Sequence, residues 1–140
     1  MCWLTDLFRR KATPNYELPS PMPRLKFEDM EQLPDGRFAV RFPPETIITS
    51  VLDTNSMDPT FDAGMIIFLQ LNPDIEDLIV GDIIVYEHPE LSAIHRISAI
   101  GHDSAGWWCK TRASNPLITW DDPVILRKEH VKYLHRGEIY

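Results

Sequence analysis

Residues 82–100, DIIVYEHPELSAIHRISAI, predict a β-hairpin. The apolar run over 82–86 has the length and the β-branched content of a buried strand. The polar, proline-containing stretch 87–90 is typical of a turn, and residues 93–100 return as the partner strand. Alternation along that second strand places four side chains on one face: Ala93, His95, Ile97 and Ala99. We therefore expect His95 to be partly buried among apolar neighbours.

Further strands are predicted on both sides of this hairpin. They share short length and apolar or β-branched content, and they cover residues 37–42, 46–52, 65–69, 107–111, 124–126 and 130–134. Helical signals are confined to single turns at 57–61 and 71–77. The pattern predicts a mainly β fold, a small coiled or barrel-like antiparallel β-domain.

Composition narrows the class of function. The chain of 140 residues is long enough for one domain with a real core. Its formal net charge of −7 argues against a nucleic-acid partner, because phosphate binding needs a basic surface. The two cysteines, Cys2 and Cys109, belong to no Cys-x-x-Cys pair, so we expect no metal, no cofactor and a reducing, cytoplasmic compartment.

The first 26 residues differ from the rest of the chain. Residues 1–26 form a basic segment that ends in a proline-rich linker, and residues 27–140 form the β-domain. Four apolar residues fall on one face of a possible short helix: Trp3, Leu4, Leu7 and Phe8. The segment is either a fraying terminus or a helix docked on the domain, or else a peripheral anchor on an anionic membrane or a docking peptide. No apolar run reaches the roughly 18–20 residues of a membrane span.

A second informative stretch is residues 55–61, NSMDPTF. A serine hydroxyl is an effective nucleophile only when a base removes its proton, and histidine supplies such a base near neutral pH. Ser56 precedes a proline-containing turn, where its backbone N–H can face a developing oxyanion, so Ser56 and Met57 are the candidate oxyanion and substrate residues. The alternatives are a turn serine and an ordinary core histidine at His95.

These stretches resemble the signal peptidase I superfamily, which includes the self-cleaving repressor peptidases. Residues 55–61 resemble its nucleophile box, residues 80–86 (VGDIIVY) its Gly-Asp strand, and residues 94–97 (IHRI) its general-base strand. Histidine at the base position is typical of the archaeal and endoplasmic-reticulum branch. The resemblance covers roughly residues 46–134 and implies a signal-peptidase-like β-fold with Ser56 as nucleophile and His95 as base.

The resemblance also implies an acid that orients the base. In the family, acids follow the base strand, and the matching stretch here is residues 111–116, TRASNP, with Ser114 at the first acid position. Asp121 and Asp122 follow, one or two residues later than the family spacing. Asp122 is favoured because Pro123 follows it, as in the family, and Asp121 remains the alternative. Either would hold the imidazole and stabilise its charged form.

The resulting expectation is a serine endopeptidase that acts on a protein or peptide substrate. By resemblance we expect small side chains near the cleaved bond, and a relative without a membrane anchor, from a phage or other mobile element. The alternative is a catalytically inactive scaffold of the same fold that binds peptides or assembles with a partner. Ser114 at an acid position favours the scaffold, and the intact Ser56/His95 pair favours the enzyme. The oligomeric state is not indicated by any pattern.

Overall fold

The structure, a computed structural model, describes residues 26–52, 56–58 and 60–139. The strands in this part of the chain are β1 (Met30–Gln32), β2 (Phe38–Val40), β3 (Thr46–Ser50), β4 (Ile66–Leu71), β5 (Ile83–His88), β6 (Leu91–Asp103), β7 (Gly106–Arg112), β8 (Leu126–Arg127) and β9 (Val131–Ile139). Short 3-10 helices cover Phe27–Asp29, Ile75–Asp77 and Lys128–His130. The described residues contain no α-helix.

All strand pairs in the described residues are antiparallel, and they form two sheets. β1 and β2 make a two-stranded sheet, and the others make a seven-stranded sheet in the order β3-β4-β9-β5-β6-β7-β8. The predicted mainly β, antiparallel fold is therefore confirmed. The sheet is not closed into a barrel, because its order begins at β3 and ends at β8 without a pairing between them among the described residues.

The β5–β6 hairpin pairs over six residues of each strand. Ile84 lies opposite His95, and His88 opposite Leu91, so the connection is only Pro89 and Glu90. Both strands run further than predicted, since polar residues at their ends still pair. The gap left between the predicted strands 93–100 and 107–111 is likewise mostly strand, because β6 pairs with β7 out to Asp103 and only Ser104 and Ala105 form the turn.

A β-bulge in β6 changes which side chains share a face with His95. Ile97 pairs with Thr111, whereas Ala99 pairs with Lys110, so Ser98 is the extra residue. Lys110 alternates with the buried Thr111 and therefore faces the other side of the sheet. Ala99 consequently lies on the face opposite His95, and its placement beside His95 by simple alternation was wrong.

Apolar side chains pack on both faces of the seven-stranded sheet. The first core includes Ile84, Tyr86, Ile97, Cys109 and Leu126. The second core joins the sheet to the segment after Ser56 and includes Met57, Phe61, Met65, Ile67 and Ile83. Burial on two faces explains why the central strands read as continuous apolar runs instead of alternating patterns.

The C-terminal strands differ most from expectation. The segment predicted at 130–134 is β9, nine residues that pair with both β4 and β5 in the middle of the sheet. The segment predicted at 124–126 is only the two-residue β8 at the edge. The stripe of Trp3, Leu4, Leu7 and Phe8 lies outside the described residues. Within the described part, no helix has the length and apolar content to cross a membrane.

Candidate active site

His95 lies in the middle of β6, on the first core. Only 8% of its surface is exposed, and Ile84 faces it across the hairpin. Its Nδ1 lies 2.7 Å from Oδ2 of Asp122, and both side chains are almost fully covered. The structure thus brings His95 and Asp122 together, although 27 residues separate them in the sequence.

The Asp122 carboxylate accepts two further hydrogen bonds from buried hydroxyls. Tyr86 donates to Oδ2 at 2.9 Å and Thr111 donates to the same oxygen at 2.5 Å. The backbone N–H of Asp122 also donates to the carbonyl of Thr111 at 2.8 Å, which ties the acid to the end of β7. Three converging donors therefore fix Asp122 on the sheet.

These contacts set the protonation state of the acid. Burial raises the pKa of the Asp122 carboxyl, but the hydrogen bonds from His95 and Thr111 outweigh burial, and the pKa lies below its usual value. Burial, together with the charge on Asp122, raises the pKa of the Tyr86 phenol well above its ordinary value. Asp122 is thus an acceptor and Tyr86 a donor near neutral pH.

The charge on Asp122 in turn selects the tautomer of the imidazole. A carboxylate can only accept hydrogen bonds, so Nδ1 of His95 carries the proton that lies between them. In the neutral ring, Nε2 of His95 is then the nitrogen with a lone pair. This is the arrangement a general base requires, with one nitrogen held by an acid and the other able to accept a proton.

Asp121 has a different partner. Its Oδ1 accepts hydrogen bonds from Nε and Nη2 of Arg112, at 2.9 and 2.7 Å. A carboxylate held by two donors of one guanidinium is strongly oriented. Of the two candidate acids, the structure therefore places Asp122 on His95 and Asp121 on Arg112.

Ser56 lies at the start of the turn that precedes Phe61. Its carbonyl accepts the backbone N–H of Asn115 at 3.0 Å, which connects the turn to the segment after β7. The N–H of Phe61 donates to the carbonyl of Met57 at 2.9 Å and closes the turn. The Met57 side chain is 2% exposed and belongs to the second core, so only its backbone is available to a substrate.

Ser56 and His95 line the same cavity, which has a volume of about 570 Å³. Its walls come from β3 and the segment that follows it, from β4 and β5, and from the start of β6. Most of the other lining side chains are apolar: Val51, Leu52, Ile67, Leu69, Val85, Leu91, Ala93 and Ile94. An apolar cleft with a few converging polar groups is the usual form of a small ligand or substrate site.

Tyr86 and Thr111 were missed as site residues. The hairpin pattern contained a signal for Tyr86, since it lies two residues from Ile84, which faces His95, and period-two alternation puts it on that face. Thr111 required the β6–β7 register, where it pairs with Ile97. That register depends on the bulge at Ser98 and cannot be obtained by counting along the chain.

His135 is the other buried histidine. Its ring packs against Phe61 of the second core at a centroid distance of 4.8 Å. Its Nε2 lies 2.8 Å from a carboxylate oxygen of Glu138 without the geometry of a hydrogen bond. Burial lowers the pKa of His135 to about 4, so the ring is neutral near pH 7. In the described residues, no three His, Cys, Asp or Glu side chains are grouped as metal ligands.

Comparison with known proteins adds no relative to this geometry. No family model, curated protein or solved structure matches this chain.

Proposed function

We propose that this chain is a serine peptidase in which Ser56 is the nucleophile, His95 the general base and Asp122 the acid that holds the base. The observation that supports this most is the Asp122–His95 pair at 2.7 Å, on the wall of a cavity that Ser56 also lines. Buried carboxylate–imidazole pairs also occur for structural reasons. The shared cavity with a serine in a turn favours chemistry.

The proposed reaction proceeds in two halves. Ser56 Oγ attacks the carbonyl carbon of a peptide bond while its proton passes to Nε2 of His95. His95 then gives that proton to the leaving amine, and the C–N bond breaks to leave an ester on Ser56. Water then attacks the ester carbonyl while His95 takes its proton, the bond from the carbonyl carbon to Ser56 Oγ breaks, and His95 returns the proton to Oγ as the acid product leaves. The backbone N–H of Ser56 is the proposed oxyanion donor.

The fold type is part of the proposal. We infer that the open antiparallel sheet belongs to the histidine-type branch of the signal peptidase and repressor peptidase superfamily. The support comes from the three sequence boxes at residues 55–61, 80–86 and 94–97. The partner is then a protein or peptide with small side chains near the cleaved bond, and the proposed location is the cytoplasm.

A second candidate function is a peptide-binding scaffold without activity. One observation favours it: the hydroxyl of Ser114 is buried and has no hydrogen-bond partner at the position where the family carries an acid. The geometry of Asp122 argues against this candidate, because an inactive site does not require a carboxylate that accepts three aligned hydrogen bonds.

A serine-acylating fluorophosphonate probe separates the two candidates. For the enzyme, intact mass spectrometry finds one adduct per chain, and peptide mapping places it on Ser56. Ser56→Ala removes the adduct and His95→Ala slows its formation by several orders of magnitude. If folded wild-type protein reacts no faster than His95→Ala, Ser56 is not activated and the scaffold is the better account.

A further inference from the structure

The cavity that Ser56 and His95 line has one acidic side chain, Glu87, among its described residues, and no lysine or arginine. Most of the other lining side chains are aliphatic, and two of them, Ile67 and Leu69, belong to the second core. The volume of about 570 Å³ lies in the range of sites that hold a drug-sized ligand. The cavity therefore has room for several residues of a peptide and offers them one negative charge.

Glu87 faces the cavity because of its position in β5. Val85 lies two residues before it and packs against the second core, so alternation puts Glu87 on the same face of the sheet. On β6, Ser92 lies directly opposite Glu87 in the antiparallel register, which puts the two Cβ atoms about 5 Å apart. Ser92 also lines the cavity. A carboxylate and a hydroxyl oxygen therefore lie side by side at this end of the cavity, and both can accept hydrogen bonds.

The Glu87 carboxylate has no partner of opposite charge in the described part of the chain. No described lysine, arginine or histidine lies within ion-pair distance of it. The adjacent His88 faces the other side of β5, where its ring packs against His130 and its Nδ1 accepts the backbone N–H of Glu90. Glu87 is exposed, so it lies at the mouth of the cavity, where an incoming cation can reach it. An accessible carboxylate beside an apolar cleft complements a ligand with a positive charge.

The spacing along the hairpin indicates where that positive charge falls in a peptide. Three residue steps separate Ser92 from His95 on β6, a distance of about 10 Å at about 3.3 Å per residue. A peptide that lies extended along the hairpin covers this distance in three residues. Its basic side chain then reaches Glu87 from the third or fourth residue away from the bond that Ser56 attacks.

We propose that Glu87 selects peptides that carry a lysine or arginine three or four residues from the cleaved bond. This inference deepens the proposed function and rests on it for the position of the bond. The preference for a basic peptide applies equally to a scaffold that binds peptides without cleaving them. The formal net charge of −7 adds a long-range attraction for such peptides.

The test is the binding of three fluorescein-labelled pools of ten-residue peptides to Ser56→Ala protein, which cannot consume them. The peptides consist of Ala, Val, Leu and Ser, with one position, varied within the pool, occupied by lysine, norleucine or glutamate. Fluorescence anisotropy should show that the lysine pool binds about two- to fivefold more tightly than the norleucine pool, the range of a solvent-exposed ion pair. High salt should reduce this difference, and the glutamate pool should bind most weakly.

Variants of Glu87 in the Ser56→Ala background identify the source of the preference. Glu87→Gln removes the charge with little change of shape, so the lysine pool should lose its advantage over the norleucine pool. Glu87→Lys should make the glutamate pool the tightest binder. Glu90→Gln is the matched control, because Glu90 is an exposed acid in the same hairpin that does not line the cavity, and it should keep the original order.

Equal binding of the lysine and norleucine pools to Ser56→Ala, or no measurable binding of any pool, overturns the inference. So does a lysine preference that survives Glu87→Gln or that Glu90→Gln removes. Wild-type protein should cut the lysine pool with the lysine three or four residues from the new terminus, and a random lysine position overturns the spacing. Failure of the proposed function is distinct: the acylating probe then leaves wild-type protein unlabelled, and a lysine preference without labelling assigns Glu87 to a scaffold.

Discussion

At the scale of single residues, one oxygen organises the candidate site. Oδ2 of Asp122 receives hydrogen bonds from His95, Tyr86 and Thr111, which come from three different strands of one sheet. Because the donors are held by strand pairing, the acid does not need to reorganise when the imidazole gains a proton. Pre-organised groups of this kind supply much of the electrostatic stabilisation in enzymes.

Asp122 and Asp121 offer a matched pair of variants. Asp122→Asn replaces the acceptor for the Nδ1 proton with an amide, so His95 loses its orientation and its preferred tautomer. We expect the rate of probe acylation at Ser56 to fall roughly 1,000- to 10,000-fold, as in other triads. Asp121→Asn leaves the Asp122–His95 contact intact, so we expect the acylation rate at Ser56 to change by less than about tenfold. Equal rates in the two variants would remove Asp122 from the mechanism.

The depressed pKa of Asp122 predicts a contribution to acid stability. The unfolded chain takes up a proton near the ordinary value of 3.8, and the folded protein takes it up at lower pH. The stabilisation from ionised Asp122 is therefore complete above the unfolded pKa and is lost as pH falls through the folded pKa. Urea unfolding from pH 6 to pH 2 measures this.

The control for that measurement is Asp122→Asn, which cannot ionise at this position. All other carboxyl groups are common to both proteins and cancel in the difference. The gap in unfolding free energy between wild type and Asp122→Asn should narrow as pH falls from 4 to 2. A gap that stays constant over that range would show that Asp122 has the same pKa in the folded and unfolded states.

At the scale of elements, the hairpins β5–β6 and β6–β7 carry the site. β6 contributes His95 and pairs on one side with the strand of Tyr86 and on the other with the strand of Thr111. After the bulge at Ser98, β6 continues past the site, but the alternation of its side chains between the two faces of the sheet is reversed. A shift of one residue in the β6–β7 register would turn Thr111 away from Asp122.

Gly101 shows how tightly β6 and β7 pack beyond the bulge. It lies opposite Trp108, and a methyl group added at Gly101 would come within 2.5 Å of the indole ring. Gly101→Ala therefore forces the ring to move, and we expect a loss of about 1–3 kcal/mol in unfolding free energy. The double variant Gly101→Ala/Trp108→Ala should show no further loss from the alanine at 101. Equal losses from Gly101→Ala with and without Trp108 would contradict the contact.

Cys109 reports on the integrity of the same strands. It is fully buried between β6 and β8, and burial raises the pKa of its thiol to about 12. Since only a thiolate reacts quickly, iodoacetamide should not label Cys109 in a folded Cys2→Ser protein at pH 8. Labelling should appear in step with urea unfolding. Rapid labelling of the native protein would mean that the edge of the sheet opens readily.

At the scale of the whole molecule, the sequence predicted the class of fold, and Asp122 as one of two candidate partners of His95, better than it predicted the topology. Apolar runs and the 82–100 hairpin led to an antiparallel β fold, because hydrophobic pattern is a local property. His95 was identified from residues 94–97, and Asp122 was one of two candidate acids. The choice between Asp121 and Asp122 required the position of Arg112, which is set by long-range pairing.

The open sheet, the length of β9 and the bulge in β6 could not be predicted. β9 is central because it pairs with β4 and β5, which lie far from it in the sequence, and no local pattern encodes such a partner. The polar C-terminal end of β6 pairs because β7 is adjacent, although its propensity alone suggests a turn. Tertiary context therefore overrides local preference at these positions.

The N-terminal segment carries a prediction about partners. We propose that Trp3, Leu4, Leu7 and Phe8, with the basic residues that follow them, give the chain a peripheral contact with anionic membranes. Full-length protein should sediment with vesicles of anionic lipid, and high salt should weaken the effect. Deletion of residues 1–11 should abolish it. Sedimentation that survives the deletion would place the contact elsewhere on the molecule.

The central claim, that this chain cleaves peptide bonds through Ser56, is tested most directly on a proteome-derived peptide library. Wild-type protein and Ser56→Ala are incubated with the library, and mass spectrometry identifies the new termini. We predict new termini with wild-type protein, enriched in small residues beside the cleaved bond, and none above background with Ser56→Ala. Termini that arise equally with both proteins, or a wild-type protein that reacts with the acylating probe but cleaves nothing, would contradict the claim.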